Sequence, residues 1–373
     1  MIIESLELKN YRNYRDLKLL LDPGTNLLYG DNAQGKTNIL EAVYVCAATK
    51  SHRGSKDREL IRFGEEEAHI RLNLSRHGVP YRIDMHLKKA KAKGIAVNGV
   101  PIRRASELFG TLNAVLFSPE DLNIIKNGPS DRRRFLDMEL CQLDRSYVHA
   151  LVNYNKALRQ RNQLLKDIAF RPELGDTLEL WDSQLIRYGT EIIRGREKFL
   201  SLLNPLIAGI HREITSGKEE ILLTYEKNTE PGSYEDAMRR NREPDMKLKT
   251  TAAGPHRDDI GFFVNGMDLR RFGSQGQQRT GALSLKLSEI ELMRQASGDW
   301  PVLLLDDVLS ELDTERQRHL LKVISRTQTV LTSTGMENLM GSGFRIDRKF
   351  EVREGTASTV RADGEEVRRE VAE

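Results

Sequence analysis

The sequence predicts an α/β fold whose two halves are separated by a helical insertion, and three observations predict it. A glycine-rich loop, Gly30-Asp31-Asn32-Ala33-Gln34-Gly35-Lys36-Thr37, follows one apolar strand and opens a helix. Far downstream, Val302-Leu303-Leu304-Leu305 ends in Asp306-Asp307, the pattern of a buried strand that delivers carboxylates at its C-terminal edge. Between them, residues 120–214 are mostly helical in pattern and strongly charged. Residues 1–118 and 219–373 are therefore expected to form the two parts of a head, with 119–218 as an inserted arm.

The elements follow in order. Residues 2–9 alternate apolar and polar, as a half-buried strand does. Leu17–Leu21 and Asn26–Tyr29 read as strands around a Pro23-Gly24 turn, and Lys36–Ala48 as a helix. From Ala68 to Leu116 the pattern is β-like, with Asn98-Gly99 as a tight hairpin turn. The arm carries Tyr147, Leu151, Tyr154, Leu158, Arg161, Leu165 and Ile168 at alternating steps of four and three. Leu178, Trp181, Leu185, Tyr188, Ile192, Gly195, Phe199 and Leu202 repeat the pattern after a breaker holding Pro172 and Gly175. Two heptad-patterned helices so joined predict an antiparallel arm, with Arg161 and Gly195 interrupting its seam and Pro205 limiting or kinking the second helix. Ile221–Tyr225 is a strand, and the polar stretch Asn228–Pro244 is a loop with a short helix near Tyr234–Arg239. A second hairpin turns at Asn265-Gly266; Gln275–Gln295 and Thr314–Ile324 are helices, and Val302–Leu305 and Thr329–Leu331 are strands. The polar tail Asp363–Glu373 is expected to fray.

The loop has the residues that phosphate binding needs. Backbone N–H groups of the loop and helix N-terminus face phosphate oxygens. Lys36 is suited to lie between the β- and γ-phosphates, and the Thr37 hydroxyl to meet Mg²⁺. Asp306 is the second candidate for Mg²⁺, and Asp307 the candidate to orient or deprotonate an attacking water. Ser274-Gln275-Gly276-Gln277-Gln278 stands just ahead of an amphipathic run. Alone it reads as a capping box, with Ser274 as N-cap and Gln277 three residues on. After the loop and before the acid strand, it resembles the signature of ABC-type ATPase heads, which reaches the ATP held by a second head. That resemblance implies a homodimer closed by ATP, with Ser274, Gly276 and Gln277 contacting nucleotide across the interface. Ser310-Glu311-Leu312-Asp313 falls where such heads place a D-loop.

The chain more specifically resembles the RecF family of bacterial recombination-repair ATPases, relatives of SMC heads. The resemblance runs nearly end to end: Lys9-Asn10-Tyr11-Arg12-Asn13-Tyr14, the phosphate loop, Lys50-Ser51-His52-Arg53, Phe117-Ser118-Pro119-Glu120-Asp121-Leu122, Gly128-Pro129, Arg132-Arg133-Arg134-Phe135-Leu136-Asp137 and Gly254-Pro255-His256-Arg257-Asp258-Asp259. It implies an ABC-type, SMC-head-like fold whose coiled coil is cut short. It also implies a cytoplasmic ATP-binding protein that dimerises on ATP and binds single-stranded, gapped or junction DNA. Such proteins act with RecO and RecR to let RecA load, and support the SOS response. Arg12 resembles the arginine that SMC-like heads place near the nucleotide phosphates. Four departures qualify the carry-over, the mildest being Ala33 in the phosphate loop where many SMC-like heads carry Gly. Most such heads have Glu where Asp307 stands, the switch His after Thr329–Leu331 is replaced by Thr332-Ser333-Thr334, and the Q-loop Gln by Ser118 or Pro119. The changes at Asp307 and at the switch His imply slow hydrolysis suited to a timed switch, and the resemblance implies a weak DNA-stimulated ATPase; the alternative is an ATP-clamped scaffold with little turnover.

Composition limits the remaining classes. At 373 residues and 39% hydrophobic content the chain has enough for a sizeable core. No run approaches the roughly 18 apolar residues of a membrane span, and the N-terminus lacks a secretory pattern. Cys46 and Cys141 have no ligand spacing and are expected to be small buried hydrophobes in a reducing compartment. The net charge of +3 is modest, but basic residues cluster at His52–Arg58, Lys88–Lys93, Arg103-Arg104 and Arg132–Arg134. Each cluster is either solvated surface or a DNA-phosphate contact. One of Arg132–Arg134 is expected to face inward, paired with an acid such as Asp131 or Asp137. With 6% aromatics, backbone recognition is favoured over base stacking. The heptad arm and the missing switch His argue against a transporter ATPase.

Overall fold

A computed structural model describes residues 1–335 and 345–360. The tail Asp363–Glu373 lies outside the described residues. The chain divides into two compact units, Met1–Asp121 with Glu289–Glu373, and Leu122–Ser288.

The first unit begins with β1 (Ile2–Tyr11), β2 (Tyr14–Leu20), β3 (Thr25–Tyr29), α1 (Lys36–Ala48), β4 (Glu67–Arg76), β5 (Val79–Lys88), β6 (Gly94–Val97), β7 (Val100–Pro101) and β8 (Ala114–Phe117). Alternation sets its first sheet, ordered β2-β1-β4-β5-β6-β7 among the described residues. Antiparallel registers Leu6↔Leu72 and Leu8↔Ile70, then Leu72↔Ile83 and Ile70↔Met85, line up an apolar face. The opposite face carries Glu7, Arg71 and Asp84 in one row. Helix α1 packs against β4 of this sheet and against β8, β12 (Val302–Asp306) and β13 (Thr329–Ser333) of a second. That position explains why nearly its whole surface is apolar and buried.

The second unit holds α2 (Leu122–Lys126), α3 (Pro129–Leu143), α4 (Arg145–Asp167), α5 (Leu178–Ile214), β9 (Ile221–Glu226), α6 (Tyr234–Leu248), β10 (Asp259–Val264), β11 (Met267–Asp268), α7 (Leu269–Phe272) and most of α8 (Gln275–Ser297). The expected arm is thus the helical part of a larger unit, because α5 also packs on β9. Asn204 on α5 exchanges two hydrogen bonds with the backbone of Leu223. Helices α4 and α5 pack together as the heptads predict, but the seam differs in detail. Leu202 is exposed and Leu203 buried, since α5 keeps straight-helix periodicity there. Pro205 neither ends nor limits α5, and α6 runs through Pro244 well beyond the short helix expected. Both prolines are exposed, so the backbone carbonyls they leave unbonded can be hydrated.

The seam interruptions are built features. Arg161 is fully buried, with Nε donating to Asp182 at 2.6 Å and Nη1 to Asp245 at 2.6 Å and Thr251 at 2.9 Å. The Arg132 guanidinium is also buried and grips Asp259 through both carboxylate oxygens, at 2.6 and 2.9 Å. This corrects the partner expected from sequence: Asp137 instead accepts from Arg196 at 2.8 Å and Tyr147 at 2.6 Å, and Asp131 from Asn127. Arg196 also reaches Asp258, which accepts from Tyr225. The two arginine- and aspartate-rich segments therefore form an ionic network fastening α3 and α5 to the sheet β11-β10-β9. Cys46 and Cys141 are buried, as expected.

The chain finishes in the first unit with β12 (Val302–Asp306), α9 (Thr314–Ile324), β13 (Thr329–Ser333), β14 (Arg348–Arg353) and β15 (Thr356–Val360). The second sheet of this unit runs β15-β14-β3-β13-β12-β8 among the described residues. Strands β8, β12, β13, β3 and β14 are parallel. Sequence patterning missed the β14–β15 hairpin, whose strands are only partly buried.

Candidate nucleotide site

Parallel pairing puts the functional segments on one edge. The register of β12 and β13 places Asp306 opposite Thr332, and that of β13 and β3 places Ser333 opposite Tyr29, immediately before Gly30. Ligands in such sheets bind beyond the carboxyl ends of the strands. Residues Gly30–Gly35 form the connection from β3 to α1, with Asp31, Asn32 and Ala33 exposed. Gly35 caps α1 at φ 116°, and no side chain caps the first N–H groups of that helix. These groups stay open to an anion at the positive end of the helix.

Lys36 is buried and its Nζ donates to the carbonyls of Gly30 at 2.5 Å and Asp31 at 2.7 Å, arching over the loop. Burial lowers its affinity for the proton, while Asp307, Asp306 and Asp31 pull the other way. The Thr37 hydroxyl donates to Asp306 Oδ1 at 2.8 Å, and the Thr332 hydroxyl donates to the same oxygen at 2.9 Å. The Asp307 N–H donates to Thr332 Oγ1 at 2.9 Å, and Asp307 adopts φ 54°. Thr332, in the stretch that replaces the switch His, thus links the two acids. The Thr37 hydroxyl and the Asp306 carboxylate are hard oxygen donors of the kind Mg²⁺ takes. Loop, lysine and oxygen donors together fit a magnesium-bound nucleotide.

Arg12 behaves differently from the expectation. It sits at φ 51° in the β1–β2 turn, and Nε and Nη2 clasp Glu41 at 2.7 Å each. Its other bonds go to Ser55 and the Glu59 carbonyl, so among the described residues it donates no hydrogen bond to the phosphate loop. Glu41 is fully buried on α1 and also accepts from Ser51 at 2.5 Å. Although burial acts to raise the Glu41 pKa, these bonds hold it below the usual carboxylate value.

Two loop braces were missed from sequence. Asn13 Nδ2 donates to the Gln34 carbonyl at 2.8 Å, while its Oδ1 accepts from Asn38 at 2.8 Å. Gln34 Oε1 accepts from the Glu354 N–H at 2.6 Å, on the β14–β15 turn. The available signals were a lone acid, Glu41, within an apolar helix, and Asn13 beside Arg12.

In the second unit, Ser274 and Gln277 form a reciprocal capping box. The Gln277 N–H donates to Ser274 Oγ at 3.2 Å, and the Ser274 N–H to Gln277 Oε1 at 2.9 Å. Gln277 Nε2 also donates to Glu219 at 2.9 Å. The capping reading of these residues is thus realised, with Ser274 and Gly276 exposed at the start of α8. Gln278 turns inward to the Leu269 carbonyl.

Among the basic clusters, Lys93 is tied to Asp57 and the Thr49 carbonyl, Lys89 to Glu66, and Arg133 to the Asp258 carbonyl. No helix among the described residues is long and apolar enough to cross a membrane.

These features define a P-loop ATPase head of SMC type. The RecF/RecN/SMC N terminal domain family matches residues 2–357. An SMC head from Pyrococcus furiosus has a similar fold, with a TM-score of 0.56 at 17% identity over 96% of each chain. Closer similarity comes from the DNA replication and repair protein RecF of Lachnoclostridium phytofermentans. It is 57% identical over 356 residues, covering 95% of this chain and 99% of that one. A solved recombination mediator protein RecF with ATP, of the RecFOR pathway, has a TM-score of 0.89 at 36% identity, covering 96% of this chain and 98% of that one. The chain belongs to the RecF family.

Proposed function

We propose that this chain is an ATP-binding protein of DNA replication and repair, in which ATP closes a homodimer on single-stranded, gapped or junction DNA and slow hydrolysis releases it. It would act in the cytoplasm with RecO and RecR to let RecA load, and support the SOS response. The observation that carries the reading is the linked set Thr37, Asp306, Thr332 and Asp307 beside the Gly30–Gly35 loop. The RecF relatives described above support it. Loop N–H groups and Lys36 hold the phosphates, Thr37 and Asp306 hold Mg²⁺, and Asp307 orients the attacking water. Bound Mg²⁺ supplies charge neutralisation at the phosphates. Thr332 anchors the acids with hydroxyl hydrogen bonds and brings no positive charge, which favours slow turnover. Ser274 and the exposed start of α8 supply the contact to nucleotide on a second copy.

Sedimentation with DNA of defined form tests this. The parent protein should be monomeric without nucleotide and dimeric on DNA with ATP, and Lys36→Ala should stay monomeric. Asp307→Asn should dimerise on DNA but fail to leave it. A parent protein that stays monomeric with ATP and DNA sinks the proposal, whereas release from Asp307→Asn at the parent rate favours the ATP-clamped scaffold.

A further inference from the structure

On the outer face of the first sheet, β4 and β5 bring together three side chains that the nucleotide chemistry does not use. His69 and His86 are direct cross-strand partners, and Glu67 precedes His69 on the same face. The imidazoles stack, with ring centres 4.0 Å apart and planes 22° from parallel. Both Nε2 atoms address one carboxylate: His86 at 2.8 Å from Glu67 Oε2, and His69 at 3.7 Å from Oε1. One ligand atom from each residue lies within 4.8 Å of the other two. We propose that Glu67, His69 and His86 form a site for a divalent transition metal of the zinc class.

The donor set selects the ion. Two imidazoles and one carboxylate suit Zn²⁺, Ni²⁺ or Cu²⁺ over Mg²⁺ and Ca²⁺, which prefer oxygen. The stacked rings must rotate about their Cβ–Cγ bonds for both lone pairs to converge on one ion. The strands supply a fixed base, because the opposite faces of β4 and β5 are core: Ile70, Leu72, Ile83 and Met85 are buried. Space lies beside the cluster. Gly94 pairs with His86 and has no side chain to cover it, and both histidines line a cleft of about 630 Å³. The cleft leaves room for water or an exogenous group to complete the coordination that three protein ligands leave open. Lys9 pairs with His69 from β1, and Lys88 lies 3.9 Å from Glu67. These cations work against a second positive charge, so the affinity should be moderate.

The test is calorimetric titration of the EDTA-stripped full-length protein with ZnCl₂, without nucleotide or Mg²⁺. One equivalent should bind with Kd of about 10 μM or tighter. His69→Gln, His86→Gln and Glu67→Gln should each weaken binding by about tenfold or more. Lys88→Gln, which removes a repulsive charge and no ligand, should tighten it by roughly threefold. Co²⁺ should give visible bands of nitrogen and oxygen coordination without thiolate charge transfer. No saturable binding up to about 100 μM Zn²⁺ would overturn the site. So would binding that survives all three ligand substitutions, or thiolate bands pointing to Cys46 or Cys141.

Discussion

Gly35 shows how single residues set the nucleotide loop. Its φ of 116° lies where L side chains are strained. A Cβ there would stand 2.4 Å from Asn13 Nδ2 and 2.7 Å from the Tyr14 hydroxyl. Asn13 cannot yield cheaply, because the same amide holds the Gln34 carbonyl and, through its oxygen, Asn38. Gly35→Ala should therefore displace the loop rather than the core, and lower ATP affinity by about 10- to 100-fold at a strain of about 1–3 kcal/mol. Fluorescent-nucleotide binding measures this, with the thermal midpoint of the free protein as control. Asn13→Ala removes the brace without backbone strain and should weaken binding by a smaller factor. Equal affinity of Gly35→Ala and parent would mean that the loop does not hold phosphate in this form. Arg12 belongs to the same scale: its Nε and Nη2 are committed to Glu41, a buried carboxylate on α1.

At the scale of elements, α5 offers two glycines with opposite demands. A Cβ on Gly195 would lie 2.8 Å from the Tyr147 ring, and that tyrosine donates to Asp137 and accepts from Arg196. At Gly209 a Cβ meets nothing within 4 Å. Gly209→Ala should stabilise the chain by up to about 1 kcal/mol through helix propensity. Gly195→Ala should destabilise it by about 1–3 kcal/mol, because the displaced ring disturbs a buried ionic network. Urea unfolding midpoints check the opposite signs. This contrast also marks what sequence could carry. Heptad spacing located both arm helices, since burial follows helical period whatever the side chain. It made Gly195 and Arg161 look like flaws, because their partners lie on other segments: Tyr147 for Gly195, and Asp182, Asp245 and Thr251 for Arg161. Asp306 and Thr37 were legible because chemistry fixes their types in chain order. The link through Thr332 was not, because it arises only when β12 and β13 pair in register. Hairpin β14–β15 escaped because its apolar alternation is short: only Phe350 and Val352 on β14 are buried, and no residue of β15 is.

For the whole molecule, the two compact units divide the labour of the proposed site. The phosphate loop and both acids belong to the first unit, and Ser274 to the second. If the signature of one copy completes the nucleotide site of another, defects in the two segments must complement each other on mixing. Lys36→Ala removes the phosphate-loop ammonium and leaves Ser274 intact. Ser274→Arg blocks the exposed start of α8 at a capping cost of about 1 kcal/mol, leaving the loop intact. Each variant alone should lack DNA-stimulated ATP hydrolysis. In a two-fold dimer of one copy of each, one site combines the intact loop of the Ser274→Arg chain with the intact signature of the Lys36→Ala chain. The other site carries both defects. Neither variant closes a dimer with itself, so mixed pairs alone form, each with one complete site of two, and hydrolysis should return to at most about half of the parent rate. A site completed within one chain predicts no recovery at any ratio, and that result would remove Ser274 from the role of a contact in trans.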